Sequence, residues 1–109
     1  MARKPLVLSE RARRDLVSII DFYTAEASFD VARSFSSALR AEFDHIGRFP
    51  ASGSPRFAPT VGVRDVRSWP VRGLPYLFFY PERGDRIDIL RVLHTARDIP
   101  TSLREDMEE

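Results

Sequence analysis

The sequence is notable first for what it lacks, beginning with cysteine. With no cysteine among 109 residues, neither a disulfide framework nor a thiolate metal site can form. The two histidines, His45 and His94, lie far apart and in no spacing typical of a metal site, so we expect no metal and no cofactor. No apolar run approaches the ~20 residues of a membrane span. The N-terminal MARKPLVLSE also lacks the apolar centre of a signal peptide. These absences favour a cytoplasmic protein without membrane association.

Length and charge narrow the class further. A chain of 109 residues with 43% hydrophobic residues predicts one globular domain, residues 1–109, rather than a disordered segment. Four of the 16 acidic residues lie in the last five positions, which leaves residues 1–104 with 17 basic and 12 acidic groups, a net charge of +5. All the basic residues except Lys4 are arginine, which suits contact with carboxylates or phosphates. The alternative is an ordinary solvated basic face.

Two amphipathic helices are predicted in the first half of the chain. Apolar side chains recur at helical spacing in Leu16, Ile19, Ile20, Tyr23 and Ala27, and again in Phe35, Leu39, Phe43 and Ile46. Ser9 can cap the first helix, and Ser28 or Asp30 the second, which Gly47 and Pro50 end. Helices joined this closely form an antiparallel hairpin, whose apolar stripes require a sheet beneath them.

The second half of the chain predicts three strands after a proline-rich loop, Pro50 to Pro59. The first runs from Val63 to Val71, where Pro70 indicates an edge position, and the second from Leu74 to Tyr80. After a turn at Glu82 to Asp85, a continuous third strand is predicted to place Ile87, Ile89, Arg91 and Leu93 on one face, opposite Asp88, Leu90, Val92 and His94. Asp98, Ile99 and Pro100 predict the start of a short helix through Leu103. This order predicts an α+β fold with helices on one face of a mainly antiparallel sheet.

Three segments carry a family resemblance: RFPASGSPR after the helix pair, VRGLPYLFFY, and the ending RIDILRVLHTARD. In this order and at these distances they resemble the RelE/ParE superfamily of bacterial toxins, and the last is most similar to the ParE branch. The resemblance covers most of the chain and implies that Pro5 to Leu8 forms an N-terminal strand. It also implies the toxin of a type II toxin–antitoxin module, neutralised by a cognate ParD-like antitoxin.

The superfamily contains both messenger RNA endonucleases, like RelE, and inhibitors of DNA gyrase, like ParE, so the fold alone does not decide the target. RNA cleavage needs a base, an acid and cations around the developing phosphorane. The only lysine is Lys4, the position where the enzymes carry an arginine falls at Leu77, and no tyrosine, histidine or lysine follows Arg97. The remaining catalytic candidates are His94 and Arg97, with Arg91 nearby.

We therefore expect a ParE-like toxin that inhibits gyrase by binding. The first alternative is a RelE-like ribosome-dependent endonuclease, and the second is a toxin-fold binding protein without toxicity. His94 is as well explained by a hydrogen bond at the edge of the core as by catalysis.

Binding surfaces are predicted from residue type and position. The arginines and tryptophan of the sheet and its exit are the candidates for the target: Arg64, Arg67, Trp69, Arg91 and Arg97. Large apolar residues of the helix pair are the candidates for the antitoxin: Leu16, Ile19, Ile20, Phe22 and Phe35. An antitoxin helix is expected to lie across the hairpin, with nucleic acid contacted only through the target or the antitoxin complex.

Overall fold

The computed structural model describes residues 3–96 and shows an α+β fold. The elements in chain order are β1 (Leu6–Leu8), α1 (Glu10–Glu26), α2 (Phe29–Arg48), a 3-10 turn (Pro50–Ser52), α3 (Ala58–Val61), β2 (Val66–Pro70), β3 (Tyr76–Arg83), β4 (Arg86–Ile89) and β5 (Arg91–His94). The N-terminal strand, the helix pair and the sheet confirm the predicted fold. The short helix predicted from Asp98 lies outside the described residues.

Serine side chains fix where the two long helices begin. The Ser9 hydroxyl accepts a hydrogen bond from the backbone N–H of Ala12 at 3.0 Å, as a helix N-cap does. The Ser28 hydroxyl accepts from Val31 N–H at 3.1 Å, so Ser28 rather than Asp30 caps α2. Because only Ala27 and Ser28 separate the helices, α1 and α2 are antiparallel neighbours.

Strand β3 is the centre of the sheet. It pairs antiparallel with β2 on one side and with β4 and β5 on the other, and β1 adds parallel to β4 at the far edge. Strand β2 is therefore an edge strand, as Pro70 predicted, and it ends at Pro70 rather than at Val71. The backbone N–H of Ser68 donates to the carbonyl of Ser54, and the N–H of Ser54 donates to the carbonyl of Ser68, each at 2.9 Å. This isolated bridge covers part of the free edge of β2.

The predicted continuous last strand is wrong, because a β-bulge divides it into β4 and β5. Glu82 pairs with Ile87, and Phe79 pairs with Arg91. Between these two pairs β3 has two residues, whereas the segment that joins β4 to β5 has three, which is one residue more than its partner. Pro81 lies in the same interval of β3 and has no N–H to donate. The extra residue is Leu90, and it reverses the alternation of side chains beyond it.

The sheet packs a core on each face. Toward α1 and α2, the cluster includes Phe35, Leu39, Tyr76, Phe78 and Tyr80, together with Ile87, Ile89 and Val92. A smaller cluster on the opposite face contains the side chains Val61, Val66, Leu77, Phe79 and Leu93, with Leu90 beside them. Val92 thus joins Ile87 and Ile89, whereas Leu90 and Leu93 share the other face, which corrects the predicted alternation.

The segment before β2 also departs from the prediction. The expected loop holds the 3-10 turn and the start of α3, which covers the second face of the sheet. Strand β2 begins at Val66 rather than Val63 because the chain turns sharply first. Gly62 and Asp65 adopt positive φ angles of 73° and 61°, which a strand does not accommodate.

Candidate functional site

A groove between the outer sides of α1 and α2 is the first candidate for a binding site. It encloses about 310 Å³ and is lined on the α1 side by Ile20 and Thr24. From α2, Phe29 and Ala32 add apolar surface, and Phe29 is 66% exposed. The other lining residues are Arg33, Ser36, Ser37 and Arg40, so no carboxylate is among the described residues that line the groove. The groove therefore offers an apolar floor beside positive charge.

Arg33 is held at the rim by an aromatic contact. Its guanidinium carbon lies 5.9 Å from the centre of the Phe29 ring, within the range of a cation–π interaction. A carboxylate of a partner could therefore approach Arg33 while an apolar side chain covers Phe29.

A site for RNA cleavage on the sheet face opposite the helix pair would need acidic and basic side chains there. There the strands present Val66, Leu77, Phe79 and Leu93, all at most 9% exposed, and the one polar side chain in the interior of β2 on this face is Ser68. None of these side chains is an acid or base near neutral pH. This part of the described sheet therefore lacks the proton donors and acceptors that phosphodiester cleavage requires.

His94 lies on the other side of the sheet. Its ring stands edge-on to Tyr76 at 5.4 Å, and its Nδ1 accepts a hydrogen bond from Ala96 N–H at 3.1 Å. Tyr76 belongs to the core beneath the helices. These contacts fit the structural interpretation of His94. Arg97, the other catalytic candidate, lies outside the described residues.

Of the three described arginines predicted for target binding, Arg67 and Arg91 are engaged within the fold. Arg91 donates to the Asp15 carboxylate of α1 from Nε at 2.8 Å and from a terminal nitrogen at 2.9 Å. Arg67 donates to the backbone carbonyl of Gly53 at 2.8 Å. Arg64, in contrast, is 93% exposed, and its ion pair within the described residues is with Asp65 at 4.0 Å.

Trp69 is half-buried at the opposite end of α2 from the groove entrance at Phe29. Its indole N–H donates to the Glu42 carboxylate at 2.9 Å, and its ring stacks on His45 with centres 5.0 Å apart. Phe49, which is 50% exposed, packs against the His45 ring, with the ring centres 5.3 Å apart. These contacts of Trp69 stabilise the fold, and the part of its side chain that stays exposed is available to a partner.

Comparison with known proteins identifies the family. The family described as the ParE toxin of the type II toxin–antitoxin system parDE matches residues 6–99. The chain belongs to the ParE toxin family. A solved structure described as the chromosomal ParDE TA system from P. aeruginosa is similar, with a TM-score of 0.69, 21% sequence identity, 84% of this chain and 96% of that chain covered. At this identity it supports the fold. No curated protein matched the sequence.

As a ParE-type toxin, the protein belongs to a system that includes an antitoxin, and the predicted antitoxin residues divide into two groups. Ile19 and Phe35 lie in the core, 9% and 1% exposed, so a partner does not contact Phe35 directly. Leu16 packs against the same core, and Ile20 lines the groove. Phe22 is 50% exposed, but it follows Asp15 by two helical turns and so lies on the flank of α1 that faces β5.

The groove arginines were missed by sequence reasoning, as was Asp15. Arg33 and Arg40 stand seven residues apart, two helical turns, which places them on one side of α2 and could have indicated a basic stripe. Asp15 gave no comparable signal, because its partner Arg91 is 76 residues away in sequence. No group of His, Asp and Glu suited to a metal ion occurs in residues 3–96, and no helix described there is long and apolar enough to cross a membrane.

Proposed function

We propose that this ParE-family toxin acts in the cytoplasm by binding DNA gyrase and inhibiting it, without cleaving RNA. The observation that supports the proposal most directly is the sheet face opposite the helix pair. Its side chains Val66, Leu77, Phe79 and Leu93 form a small core in place of the acids and bases that cleavage needs. A toxin without such groups must act through surface complementarity.

The test compares the two targets directly. Purified protein is titrated into a gyrase supercoiling assay and, separately, into a translation reaction in which cleavage of ribosome-bound messenger RNA is read by primer extension. We expect loss of supercoiling and intact messenger RNA. His94→Ala should leave growth inhibition unchanged, whereas a general acid or base at this position would lower cleavage by about 100-fold or more. Cleavage that disappears in this variant would refute the proposal.

The surface that grips gyrase is proposed to include the exposed arginine Arg64, the accessible part of Trp69, and Arg97. Arg67 and Arg91 remain predicted members, but their hydrogen bonds to Gly53 and Asp15 would have to be exchanged for contacts with the target. A binding hot spot predicts that single substitutions cost roughly 2 kcal/mol of target affinity. Affinities of the alanine variants all within about threefold of wild type would exclude this surface.

The antitoxin is proposed to neutralise the toxin through the groove between α1 and α2. Ile20, Phe29 and Ala32 would receive the apolar stripe of an amphipathic helix, and Arg33 and Arg40 would receive acidic side chains beside that stripe. Charge reversal tests this arrangement. We expect the double variant Arg33→Glu/Arg40→Glu to bind the antitoxin with lower affinity. Its affinity should also depend less on salt concentration than that of wild type.

The matched control for the charge reversal is Arg14→Glu. Arg14 lies on the solvent side of α1, 72% exposed and paired only with Glu10 at 3.7 Å. Calorimetric titration with the cognate antitoxin should therefore give wild-type affinity for this control. Equal affinities for the control and the groove variants would exclude the groove as the antitoxin site.

A further inference from the structure

A second cavity lies at the edge of β2, away from the groove of the helix pair. It encloses about 300 Å³ between β2 and the segment that precedes α3. Three serine hydroxyls line it, those of Ser52, Ser54 and Ser68, and Arg56 adds a guanidinium group. The remaining walls are Trp69, Pro70 and Leu77, and no acidic side chain lines the cavity within residues 3–96.

Ser68 is the residue that calls for an explanation. It is only 5% exposed, yet its hydroxyl has no hydrogen-bond partner among the described residues. Its backbone is fully paired with Ser54, so the strand itself does not need a hydroxyl at this position. A buried polar group without a partner is unfavourable, and alanine would avoid that cost. Because the Ser68 hydroxyl lines the cavity, a polar molecule bound in the cavity can supply its partner.

The other polar groups are also available to such a ligand. Arg56 lies over the ring of Phe57 at 4.5 Å, and no carboxylate of the described chain pairs with it. The Ser54 oxygen accepts a bond from Arg56 N–H at 3.2 Å, which leaves its own hydrogen to donate. The Ser52 oxygen lies 3.2 Å from His45 Nε2 and can donate or accept there.

We propose that this cavity binds the phosphate group of a small phosphate ester. Hydroxyl donors and a guanidinium together match the charge and the several acceptor oxygens of a phosphate. The walls formed by Trp69, Pro70 and Leu77 would accept the organic part of the ester. The carboxylate of Glu42, which lies beside Trp69, accepts the indole N–H and so is itself engaged. The inference does not depend on gyrase or on the antitoxin groove.

The experiment titrates the whole protein with inorganic phosphate, a nucleoside 5′-monophosphate and acetate at constant ionic strength. Binding is followed by Trp69 fluorescence and by two-dimensional amide NMR. We expect saturable binding of phosphate and tighter binding of the monophosphate, with amide shifts at Ser54, Arg56 and Ser68. Acetate should not bind.

Two substitutions inside the cavity and two outside it make the test specific. Ser68→Ala and Arg56→Gln should each weaken phosphate binding about tenfold or more, a change that corresponds to the loss of one charge-assisted contact. Ser18→Ala and Arg14→Gln, an exposed serine and an exposed arginine of α1 outside this cavity, should bind as wild type.

Thermal melting separates a lost ligand contact from a damaged fold. Without ligand, Ser68→Ala should melt at or above the wild-type temperature, because it removes an unpaired buried hydroxyl, and phosphate should no longer raise its melting temperature. The proposal is overturned if phosphate and the monophosphate show no saturable binding below about 10 mM. It is equally overturned if both cavity variants bind as wild type, or if acetate binds as well as phosphate.

Discussion

Replacing Asp15 with alanine should destabilise the protein more than any other change of a charged side chain described above. The Asp15 carboxylate accepts two hydrogen bonds from Arg91, at 2.8 and 2.9 Å, and a third from the backbone N–H of Val92 at 2.9 Å. The side chains of Asp15 and Arg91 are only 14% and 13% exposed. One carboxylate of α1 therefore neutralises a largely buried arginine and also satisfies an amide on the outer edge of β5.

The expected loss follows from what the substitution leaves behind. Removing one partner of a buried ion pair costs about 3–5 kcal/mol, since the other charge stays buried after its counterion is removed. The Val92 amide also loses its acceptor, which contributes to that cost. We therefore expect Asp15→Ala to lower the free energy of unfolding by about 3–5 kcal/mol, a large part of the roughly 5–15 kcal/mol of a typical domain. Asp15→Asn keeps an acceptor for Val92 and should lose less.

Urea unfolding at pH 7, followed by far-ultraviolet circular dichroism, measures this loss. The matched control is Arg14→Ala, which breaks an ion pair whose two side chains are each 72% exposed. That change should stay within about 0.5 kcal/mol of wild type. The double variant Asp15→Ala/Arg91→Ala should lose less than the sum of the single changes. A loss below about 1 kcal/mol for Asp15→Ala would show that the pair does not hold β5 against α1.

The remaining predictions concern Tyr80 and the glycine that it contacts. Burial raises the pKa of the Tyr80 phenol above its usual value of 10.0. The neutral phenol therefore stabilises the fold fully below pH ~10. The free energy of unfolding should fall as the pH rises from there toward the folded pKa of Tyr80. Tyr80→Phe, which has no phenol to ionise, should show a smaller fall. At neutral pH the same variant should lose about 1–3 kcal/mol in urea unfolding, because the Pro50 carbonyl and the Gly53 N–H each lose a partner. An unchanged alkaline profile would contradict this. Gly53→Ala should also lose about 1–3 kcal/mol, because its added carbon would meet the Tyr80 hydroxyl and lie 2.9 Å from the Ser68 carbonyl oxygen. Gly84→Ala, with open space around it, is the control, and equal stability of the two variants would refute the packing argument.

The fold could be predicted to this extent because most of its elements are specified locally. The apolar stripe from Leu16 to Tyr23, and the serines before each helix, depend only on neighbours within a few residues. The bulge at Leu90 is different in kind. The consecutive apolar residues Ile89 and Leu90 interrupt the alternation at that point, but they identify a bulge only when β3 and its Pro81 are placed alongside. The prediction of which faces Val92 and Leu93 occupy was wrong for that reason.

The binding surfaces were predicted less completely, because the type of a residue does not reveal whether its side chain is buried or already paired within the fold. Phe35, a predicted antitoxin contact, is 1% exposed because it faces the sheet, whereas Phe29 on the same helix is 66% exposed. Arg91 and Arg64 are likewise indistinguishable until Asp15 is found beside one of them. The cavity at Ser68 left no signal in the sequence, because its lining comes from β2, β3 and the segment before α3.

The parallel pairing of β1 with β4 has a consequence for the order in which the molecule forms during synthesis. Leu6 pairs with Ile87, so the first strand waits for almost the whole chain before it can join the sheet. Pairings between such distant segments form slowly, whereas a helical hairpin forms from neighbouring residues. The groove between α1 and α2 is built entirely from Ile20 to Arg40. The surface proposed for the antitoxin therefore leaves the ribosome well before the sheet that a finished toxin requires, which would allow neutralisation to begin on a nascent chain.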